Sequence, residues 1–344
     1  MIRFNCDYSE GAHPRVLEKL AASNLEQTAG YGVDAYCEKA AGLVRKLCES
    51  PGAAVHFMVG GTPANLTVIS AALRPHQGAV SVDTGHIAGH ESGAIEATGH
   101  KVLTLPNRDG KITAEQIQKL CDDHFSSDTH EHMVQPGLVY LSNPTELGTV
   151  YSLSELTAIS ETCRKNGLYL YLDGARLGYG LCAEGSDLSL PTIARLCDAF
   201  YIGGTKQGAL FGEALVIRNS ALEKDFRYIL KQKGGMLAKG RLLGLQFLAL
   251  LEDGLYFELS RHADELAMQI HEAFAQKGFS FASGSRTNQQ FPILPDAVLR
   301  RLGEKFVYAD EGPSGEGSRV VRFCTSWATR EEDVRALLNE ISAL

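Results

Sequence analysis

The stretch LYLYLDGAR, residues 168–176, joins an apolar run to two charged side chains. Residues 168–172 are all apolar or aromatic, which is typical of a strand buried on both faces of a sheet. Asp173 ends this run, where a carboxylate without a partner would be costly. The sequence allows two alternative partners for the Asp173 carboxylate. Arg176 could form a local ion pair, or a protonated ring nitrogen of a ligand could bind Asp173 and leave Arg176 free for a carboxylate.

The chain on both sides of this stretch alternates between strand and helix patterns. Further apolar runs predict strands at 53–61, 78–85, 101–106, 136–143 and 198–206. Helical patterns of about 10–16 residues lie between them, which indicates βαβ units and an α/β fold. After about residue 250 one long helix (255–277) precedes short strands and helices. We therefore predict a large α/β domain over 1–250 and a small α+β domain over 251–344.

Bulk composition excludes several classes of protein. The 344 residues are 44% hydrophobic and 22% charged, with a net charge of −8, which argues against nucleic acid or an anionic membrane as partner. No apolar run reaches the roughly 18 residues of a membrane span, and the N-terminus has no signal-peptide pattern. Eight cysteines include no CxxC pair, so we expect reduced thiols in a cytoplasmic protein.

Glycine-rich turns at two predicted strand ends could hold an anion and an electrophile. Gly60, Gly61 and Thr62 open a helix whose N–H groups favour a phosphate, although a plain turn capped by Thr62 fits equally. Lys206 follows the run at 198–203 and has glycines on both sides, which we expect to leave room for a covalent bond to its amine. It lies 33 residues after Asp173, about one βαβ unit, so both can face one crevice.

This combination of side chains matches what pyridoxal phosphate requires. A lysine bonds the aldehyde carbon, an aspartate faces the ring nitrogen and a helix N-terminus holds the phosphate. His86, after another strand, could stack on a flat cofactor and exchange protons. His86 and His90 also have the spacing of metal ligands, but no third ligand accompanies them, so we predict no metal.

In this order the motifs resemble those of the threonine aldolase / β-eliminating lyase family of fold-type I pyridoxal-phosphate enzymes. LDGARLG is the most specific motif, and GGT-x-x-N, H-x-x-x-x-E and TK-x-G support it over nearly the whole chain. The resemblance implies a mostly parallel seven-stranded sheet flanked by helices, plus a small C-terminal domain. It also implies a homodimer or homotetramer with shared active sites, in which 231–244 approaches a neighbouring subunit's cofactor.

The resemblance also implies a role for each matching residue. Lys206 corresponds to the Schiff-base lysine, Asp173 to the partner of the ring nitrogen, and His86 to the histidine stacked on the ring and active in proton transfer. The phosphate cradle corresponds to Gly60, Gly61 and Thr62. The substrate side corresponds to Arg176 and Arg322 as carboxylate ligands, His132 as a catalytic residue near the substrate hydroxyl, and Asp7, Ser9 and Tyr36 as further substrate-binding residues.

Four segments depart from the family pattern and affect the expected substrate. The N-terminal segment, usually an arginine followed by S-D-T, reads FNCDYSEG. The lysine segment reads KQGALFGEA, with Phe211 and Glu213 as new side chains; SNPTELG replaces the usual E-N-T; and Ser326 replaces a histidine. The resemblance implies cleavage of an L-β-hydroxy amino acid such as threonine or allo-threonine to glycine and an aldehyde. Alternatives are a β-eliminating lyase or aminotransferase acting on another amino acid, or a non-catalytic homologue. A nicotinamide-binding domain is disfavoured because no G-x-G-x-x-G follows the first strand.

Overall fold

The computed structural model describes residues 1–344 and divides them into the following strands and helices. The strands are β1 (Ile2–Arg3), β2 (Ala54–Met58), β3 (Gln77–Val82), β4 (Val102–Leu105), β5 (Gln135–Ser142), β6 (Tyr169–Asp173), β7 (Ala199–Gly203), β8 (Glu213–Ile217), β9 (Gln289–Gln290), β10 (Ile293–Pro295), β11 (Phe306–Val307), β12 (Ala309–Pro313) and β13 (Ser318–Cys324). The helices are α1 (Pro14–Ala22), α2 (Ala35–Leu47), α3 (Gly61–Ala72), α4 (His86–Gly89), α5 (Ala114–Phe125), α6 (Leu153–Lys165), α7 (Leu177–Cys182), α8 (Leu190–Leu196), α9 (Ser220–Glu223), α10 (Phe226–Gln232), α11 (Arg241–Leu251), α12 (Leu255–Gln276), α13 (Asp296–Gly303) and α14 (Glu331–Ser342).

A seven-stranded sheet forms the centre of the molecule, in the order β2-β8-β7-β6-β5-β3-β4. Every neighbouring pair is parallel except the two made by β8. Leu170 and Leu172 of β6 belong to one buried cluster and Tyr171 to another, so both faces of this strand are covered. This explains its continuous apolar run. The predicted α/β class with a mostly parallel seven-stranded sheet is confirmed.

A separate cluster of 13 buried residues lies in the C-terminal part of the chain, between α12, α13, α14 and the antiparallel strands around β13. The N-terminus joins it: β1 pairs with β11, and Phe4 is fully buried in the cluster. The sequence did not predict this contact, because a two-residue strand has no periodicity to detect. The domain boundary at 250/251 stays a proposal. The separate cluster supports it, except that the first residues of the chain pack with the C-terminal part.

Residues 88–99, AGHESGAIEATG, have a sequence pattern that predicts one short helix, but glycines divide this segment in the structure. Helix α4 covers only His86–Gly89, and a 3₁₀ turn follows at Glu96–Thr98. Gly93 and Gly99 between and after them have φ of 73° and 92°, in the left-handed region that interrupts a helix. Elsewhere the predicted helices and strands agree with the structure within a few residues, and all eight cysteines are free thiols. None of the helices combines the length and apolarity that crossing a membrane requires.

Candidate active site

A cavity of about 240 Å³ lies at the carboxyl ends of β5, β6 and β7, beside the N-terminus of α3. Parallel strands direct the residues that follow them to the same edge of a sheet, which is why distant motifs meet here. The predicted residues that line this cavity are Gly60, Gly61, Thr62, His86, Asp173, Arg176 and Lys206. Phe211 and Glu213, from the departing lysine segment, also line it.

Asp173 is almost fully buried and receives four hydrogen bonds. Oδ2 accepts from the Tyr140 hydroxyl at 2.7 Å and from Asn65 Nδ2 at 2.9 Å. Oδ1 accepts from the Ala175 backbone N–H at 3.0 Å and from the Tyr201 hydroxyl. Arg176 is not among these partners, so the local ion pair considered from the sequence is wrong. These four donors compensate the cost of burying the carboxylate beside the cavity.

Arg176 is paired with Asp7 instead. Its Nε and Nη2 atoms donate to the two Asp7 oxygens at 2.7 and 3.0 Å, and Asn288 Nδ2 donates to Oδ2 at 2.9 Å. Burial would raise the pKa of Asp7, but the Arg176 guanidinium overcomes this and lowers it to about 2. Asp7 is completely buried and therefore holds Arg176 in position. Its predicted direct contact with substrate is not supported by this geometry.

His86 is held through a chain of hydrogen bonds that leads to Asp173. Its Nδ1 lies 2.7 Å from Glu91 Oε1, which also accepts from Asn65 Nδ2 at 2.6 Å. Asn65 Nδ2 in turn bonds Asp173. The hydrogen bond to Glu91 raises the pKa of His86. Glu91 and Asn65 are the final residues of the motifs H-x-x-x-x-E and GGT-x-x-N, so these motifs describe one connected network.

Helix α3 begins at Gly61 and its N-terminus has no side-chain cap. Gly60 occupies the N-cap position, so the capping role considered for Thr62 is wrong. The first N–H groups of a helix have no partners within it and attract anions. A side chain at Gly61 would place Cβ 3.0 Å from the Tyr201 hydroxyl, so a larger residue would have to displace that hydroxyl slightly. The open helix N-terminus facing the cavity fits a phosphate group.

Lys206 lies in a turn that is fixed by neighbouring polar groups. Glu213 accepts hydrogen bonds from the Gly204 N–H and the Thr205 hydroxyl, both at 2.9 Å. Burial raises the pKa of Glu213 to about 7. Burial and the nearby Arg176 guanidinium lower the pKa of Lys206, which increases the fraction of nucleophilic neutral amine.

The glycines before Lys206 have a role in packing. A Cβ at Gly203 would lie 2.5 Å from the Ala175 carbonyl oxygen, and one at Gly204 would lie 2.7 Å from the Gly212 carbonyl oxygen. Both positions are therefore small because backbones approach closely there. The expectation that these glycines leave room for a bond to the lysine amine stays a prediction.

Four other predicted residues do not line the cavity. His132 is exposed and precedes β5, whereas the cavity lies at the far end of that strand. Tyr36 lies on α2 and donates its hydroxyl to Glu26 at 2.7 Å. Within one chain, His132 and Tyr36 therefore lie away from the cavity, and their predicted roles toward the substrate stay predictions. The roles of Ser9 and Arg322 stay predictions.

Ser9 and Arg322 have other neighbours in this structure. Ser9 is exposed, with Oγ 3.2 Å from Cys6 Sγ. Arg322 Nη2 donates to the Asn5 carbonyl at 3.2 Å, and its Nε lies 3.4 Å from Glu311 Oε1. The side chain of Arg322 therefore has partners outside the cavity.

Sequence reasoning missed three polar residues that face or support the cavity: Glu146, Tyr140 and Tyr201. The two tyrosines were hidden in apolar strand runs, where an aromatic ring is ordinarily read as core. Glu146 lies in SNPTELG, which was recognised only as a departure from the family pattern. The available signal was its position just after β5, at the edge where the other motifs also end.

Comparison with known proteins agrees with this geometry. The family model for β-eliminating lyases matches residues 7–296. A low specificity L-threonine aldolase from Pseudomonas sp. (strain NCIMB 10558) is 30% identical, over 99% of this chain and 97% of the relative. The solved structure of the Leishmania major threonine aldolase superposes with a TM-score of 0.97 at 45% identity, covering 100% of this chain and 99% of that chain.

A more distant structure supports the fold alone. An aspartate aminotransferase double mutant from Thermus thermophilus has a TM-score of 0.73 at 16% identity, covering 100% of this chain and 92% of that one. The family match implies dependence on pyridoxal phosphate. Because the family model covers most of the sequence and the network at Asp173 joins its motifs in one cavity, the chain belongs to the β-eliminating lyase family.

Proposed function

We propose that this protein cleaves the Cα–Cβ bond of an L-β-hydroxy amino acid, such as L-threonine or L-allo-threonine, to glycine and an aldehyde. The observation that carries the proposal is the single cavity that combines Lys206, Asp173, the α3 N-terminus and the Asp7-held Arg176. The relatives at 30% and 45% identity bear the name threonine aldolase, which favours this substrate class.

The residues of the cavity fit pyridoxal 5′-phosphate. Gly60, Gly61 and Thr62 at the start of α3 would hold the phosphate, and Lys206 would bond the aldehyde carbon. Asp173 would face the ring nitrogen. Since its carboxylate already has four donors, the ring N–H would share the acceptor with the Tyr201 hydroxyl, which lines the same cavity. When bound, the cofactor supplies an electron sink for the broken bond.

The protein's own side chains would select and orient the substrate. Arg176 has Nε and Nη2 engaged by Asp7, which leaves Nη1 to bind the carboxylate of an amino acid. His86 is fixed through Nδ1 by Glu91, so its ring presents a constant face to the cavity. Holding the substrate in one orientation selects which bond at Cα is broken.

The neutral form of Lys206 is required whenever its amine attacks a carbonyl carbon or accepts a proton. Its pKa is lowered by burial and by Arg176, so the amine loses its proton at a lower pH than an exposed lysine. Activity that depends on this form is expected to rise with pH below the ordinary lysine range.

Product analysis over a small substrate panel tests the proposed function. The protein, reconstituted with pyridoxal phosphate, is supplied with L-threonine, L-allo-threonine, phenylserine, L-aspartate and L-cysteine. We expect glycine and an aldehyde from at least one β-hydroxy amino acid and no keto acid from L-aspartate. Keto-acid formation without any aldehyde would instead identify an aminotransferase or an eliminating lyase.

The family's shared active sites support a further proposal about assembly and location. We propose a homodimer or homotetramer in the cytoplasm, in which residues 231–244 approach a neighbouring cavity. In this chain Lys231 Nζ lies 4.6 Å from the centre of the Tyr31 ring, and Arg241 donates to the Glu26 carbonyl at 2.7 Å. Light scattering of the purified protein measures the assembly, and a monomeric mass for the active protein would contradict it.

A further inference from the structure

Two carboxyl groups that line the cavity have no role in the proposed function, Glu146 and Glu213. Glu146 lines the cavity from the segment after β5, beside the strand end that carries Ser142. Its Oε1 accepts two hydrogen bonds, from the His86 backbone N–H at 2.8 Å and from the Ser142 hydroxyl at 2.6 Å. Two donors on one oxygen fix the orientation of the carboxyl group, and with it the position of the other oxygen.

The second oxygen of Glu146 is buried and has no hydrogen-bond partner in the protein. Leaving a buried carboxylate oxygen unpaired costs free energy, so a proton or a donor from a bound molecule is expected there. Glu91 Oε2 is also unpaired, but Glu91 does not line the cavity, and its other oxygen holds His86. Asp173 and Glu213 also line the cavity, but each of their carboxylate oxygens already accepts at least one hydrogen bond. Of the carboxyl groups that line the cavity, Glu146 is therefore the one whose second oxygen has no donor in the protein.

We propose that Glu146 is the general base that accepts the proton of the substrate's β-hydroxyl group through Oε2. This inference rests on the proposed function, because it names the proton acceptor for that reaction. The required partner is chemically defined: a hydroxyl group on the carbon next to Cα, which donates to an oxygen that has no other donor.

The proposed step balances in atoms and electrons. The hydroxyl O–H bond breaks and an Oε2–H bond forms. The O–H electron pair becomes the second C–O bond of the aldehyde while the Cα–Cβ bond breaks, and the pair of that bond remains with the glycine fragment. A proton added at Cα completes glycine, and Glu146 returns its own proton to solvent. The net reaction consumes no oxidant or reductant.

Two other groups near the cavity are already engaged. His86 Nδ1 is bonded to Glu91 Oε1 at 2.7 Å, and Lys206 is the residue that would bond the cofactor. Burial and the neighbouring Asp173 charge raise the pKa of Glu146, which makes its carboxylate a stronger base than an exposed one.

Glu146→Gln tests the inference, because glutamine keeps the shape and one acceptor oxygen but cannot take a proton. Glu161→Gln, at an exposed position of α6, is the matched control. In the reconstituted protein, we expect kcat for a β-hydroxy amino acid to fall by roughly 10²–10⁴-fold. Exchange of the glycine α-protons with D₂O, followed by NMR, should be retained because glycine has no β-hydroxyl. Loss of both reactions to the same extent would show a structural role and overturn the proposal, as would a wild-type kcat.

The pH dependence gives a second test that does not rely on the glutamine variant. The Ser142 hydrogen bond lowers the pKa of Glu146, so Ser142→Ala should raise that pKa further and move the acidic limb of the kcat/KM profile to higher pH. Infrared difference spectra of the cofactor-free protein should show the Glu146 carboxyl still protonated above the ordinary carboxyl range. An unmoved limb or a band that disappears at the ordinary pH would refute the assignment.

These outcomes separate the inference from the function beneath it. If the wild-type protein releases no aldehyde from any β-hydroxy amino acid, the proposed function itself is wrong. If the wild-type protein releases aldehyde and Glu146→Gln does so at the same rate, only the assignment of the base is wrong.

Discussion

Two groups of residues line the same cavity and differ in how their carboxyl groups are held. The matched group consists of residues that follow the family motifs. In it, the Asp173 carboxylate accepts hydrogen bonds from four donors, and Arg176 is held by the Asp7 carboxylate. The departing group consists of Glu146, Phe211 and Glu213. Its carboxyl groups have raised pKa values, about 7 for Glu213, because burial dominates their surroundings.

This difference separates two tasks within one site. Carboxylates that must keep a negative charge need several donors or a cation, as Asp173 and Asp7 have. Carboxyl groups that gain and lose a proton need burial that raises their pKa, as at Glu146 and at Glu213, where the pKa reaches about 7. We therefore assign cofactor and carboxylate binding to the matched group, and proton transfer and substrate choice to the departing group. Four substitutions test this division, in order of expected effect.

Lys206→Ala removes the amine on which the matched group converges. We expect the purified protein to lose its visible absorbance and kcat to fall by at least about 10³-fold, because no other lysine lines the cavity. Borohydride reduction of the wild-type protein followed by peptide mass spectrometry should locate the cofactor on Lys206. Lys165→Ala, at an exposed position of α6, is the control. Labelling of a different lysine would disprove the arrangement.

Asp173→Asn keeps the shape of the carboxyl group but removes its charge and turns one acceptor into a donor. At least one of the four donors then lacks an acceptor, so we expect a loss of about 1–3 kcal/mol in the free energy of unfolding. We also expect kcat to fall by at least about 10²-fold. Asp198→Asn is the matched control: Asp198 accepts from the Leu170 N–H at 2.7 Å, at the opposite end of the sheet. The Asp198→Asn variant should lower the free energy of unfolding and leave kcat unchanged. Equal losses of kcat in Asp198→Asn and Asp173→Asn would contradict the division.

Asp7→Asn breaks the buried pair that holds Arg176. Since the folded pKa of Asp7 is about 2 and the ordinary value is 3.8, its contribution to stability is complete above about pH 4. The contribution is lost as the pH falls toward 2, and amounts to about 2 kcal/mol. Urea unfolding should therefore show a shallower acid dependence in the variant than in the wild type.

The same variant should also raise KM for the amino acid, because Arg176 is no longer oriented. Asp310→Asn, which removes an exposed partner of Arg319, provides the comparison and should leave KM unaltered. If Asp7→Asn lowered KM for the amino acid instead of raising it, the positioning role would be refuted.

Glu213→Gln should have the smallest effect and tests the departing group. The folded pKa of about 7 exceeds the ordinary 4.5, so the unfolded chain releases this proton first and wild-type stability falls as the pH rises between these values. Glutamine removes this dependence, so the variant should gain stability relative to the wild type from pH 5 to pH 8. We expect kcat to change by less than about tenfold, since Glu213 supports the turn and is not the proposed base. A stability difference independent of pH would show that Glu213 is ionised throughout.

Most of the matched group could be predicted from the sequence because its residues end apolar strand runs. LYLYLD and YIGGTK place Asp173 and Lys206 at one sheet edge, and the structure brings them together there. Partners from distant segments could not be predicted in the same way. The pairing of Asp7 with Arg176 spans 169 positions, and no local pattern encodes it.

Two differences between the sequence analysis and the structure also have physical causes. His132 was assigned from a motif match alone, but it precedes β5 while the cavity follows that strand. Glu146 received no role because a glutamate in a polar turn ordinarily faces solvent. Only the structure shows that one of its oxygens is buried without a partner.

The stoichiometry of products from one β-hydroxy amino acid tests the central claim most directly. The reconstituted protein is incubated with L-threonine or L-allo-threonine, and glycine and acetaldehyde are quantified in the same sample, with Lys206→Ala in parallel. The account predicts glycine and acetaldehyde in equal amounts and neither product from the variant. Consumption of the amino acid with ammonia or a keto acid as product, and no acetaldehyde, would contradict it.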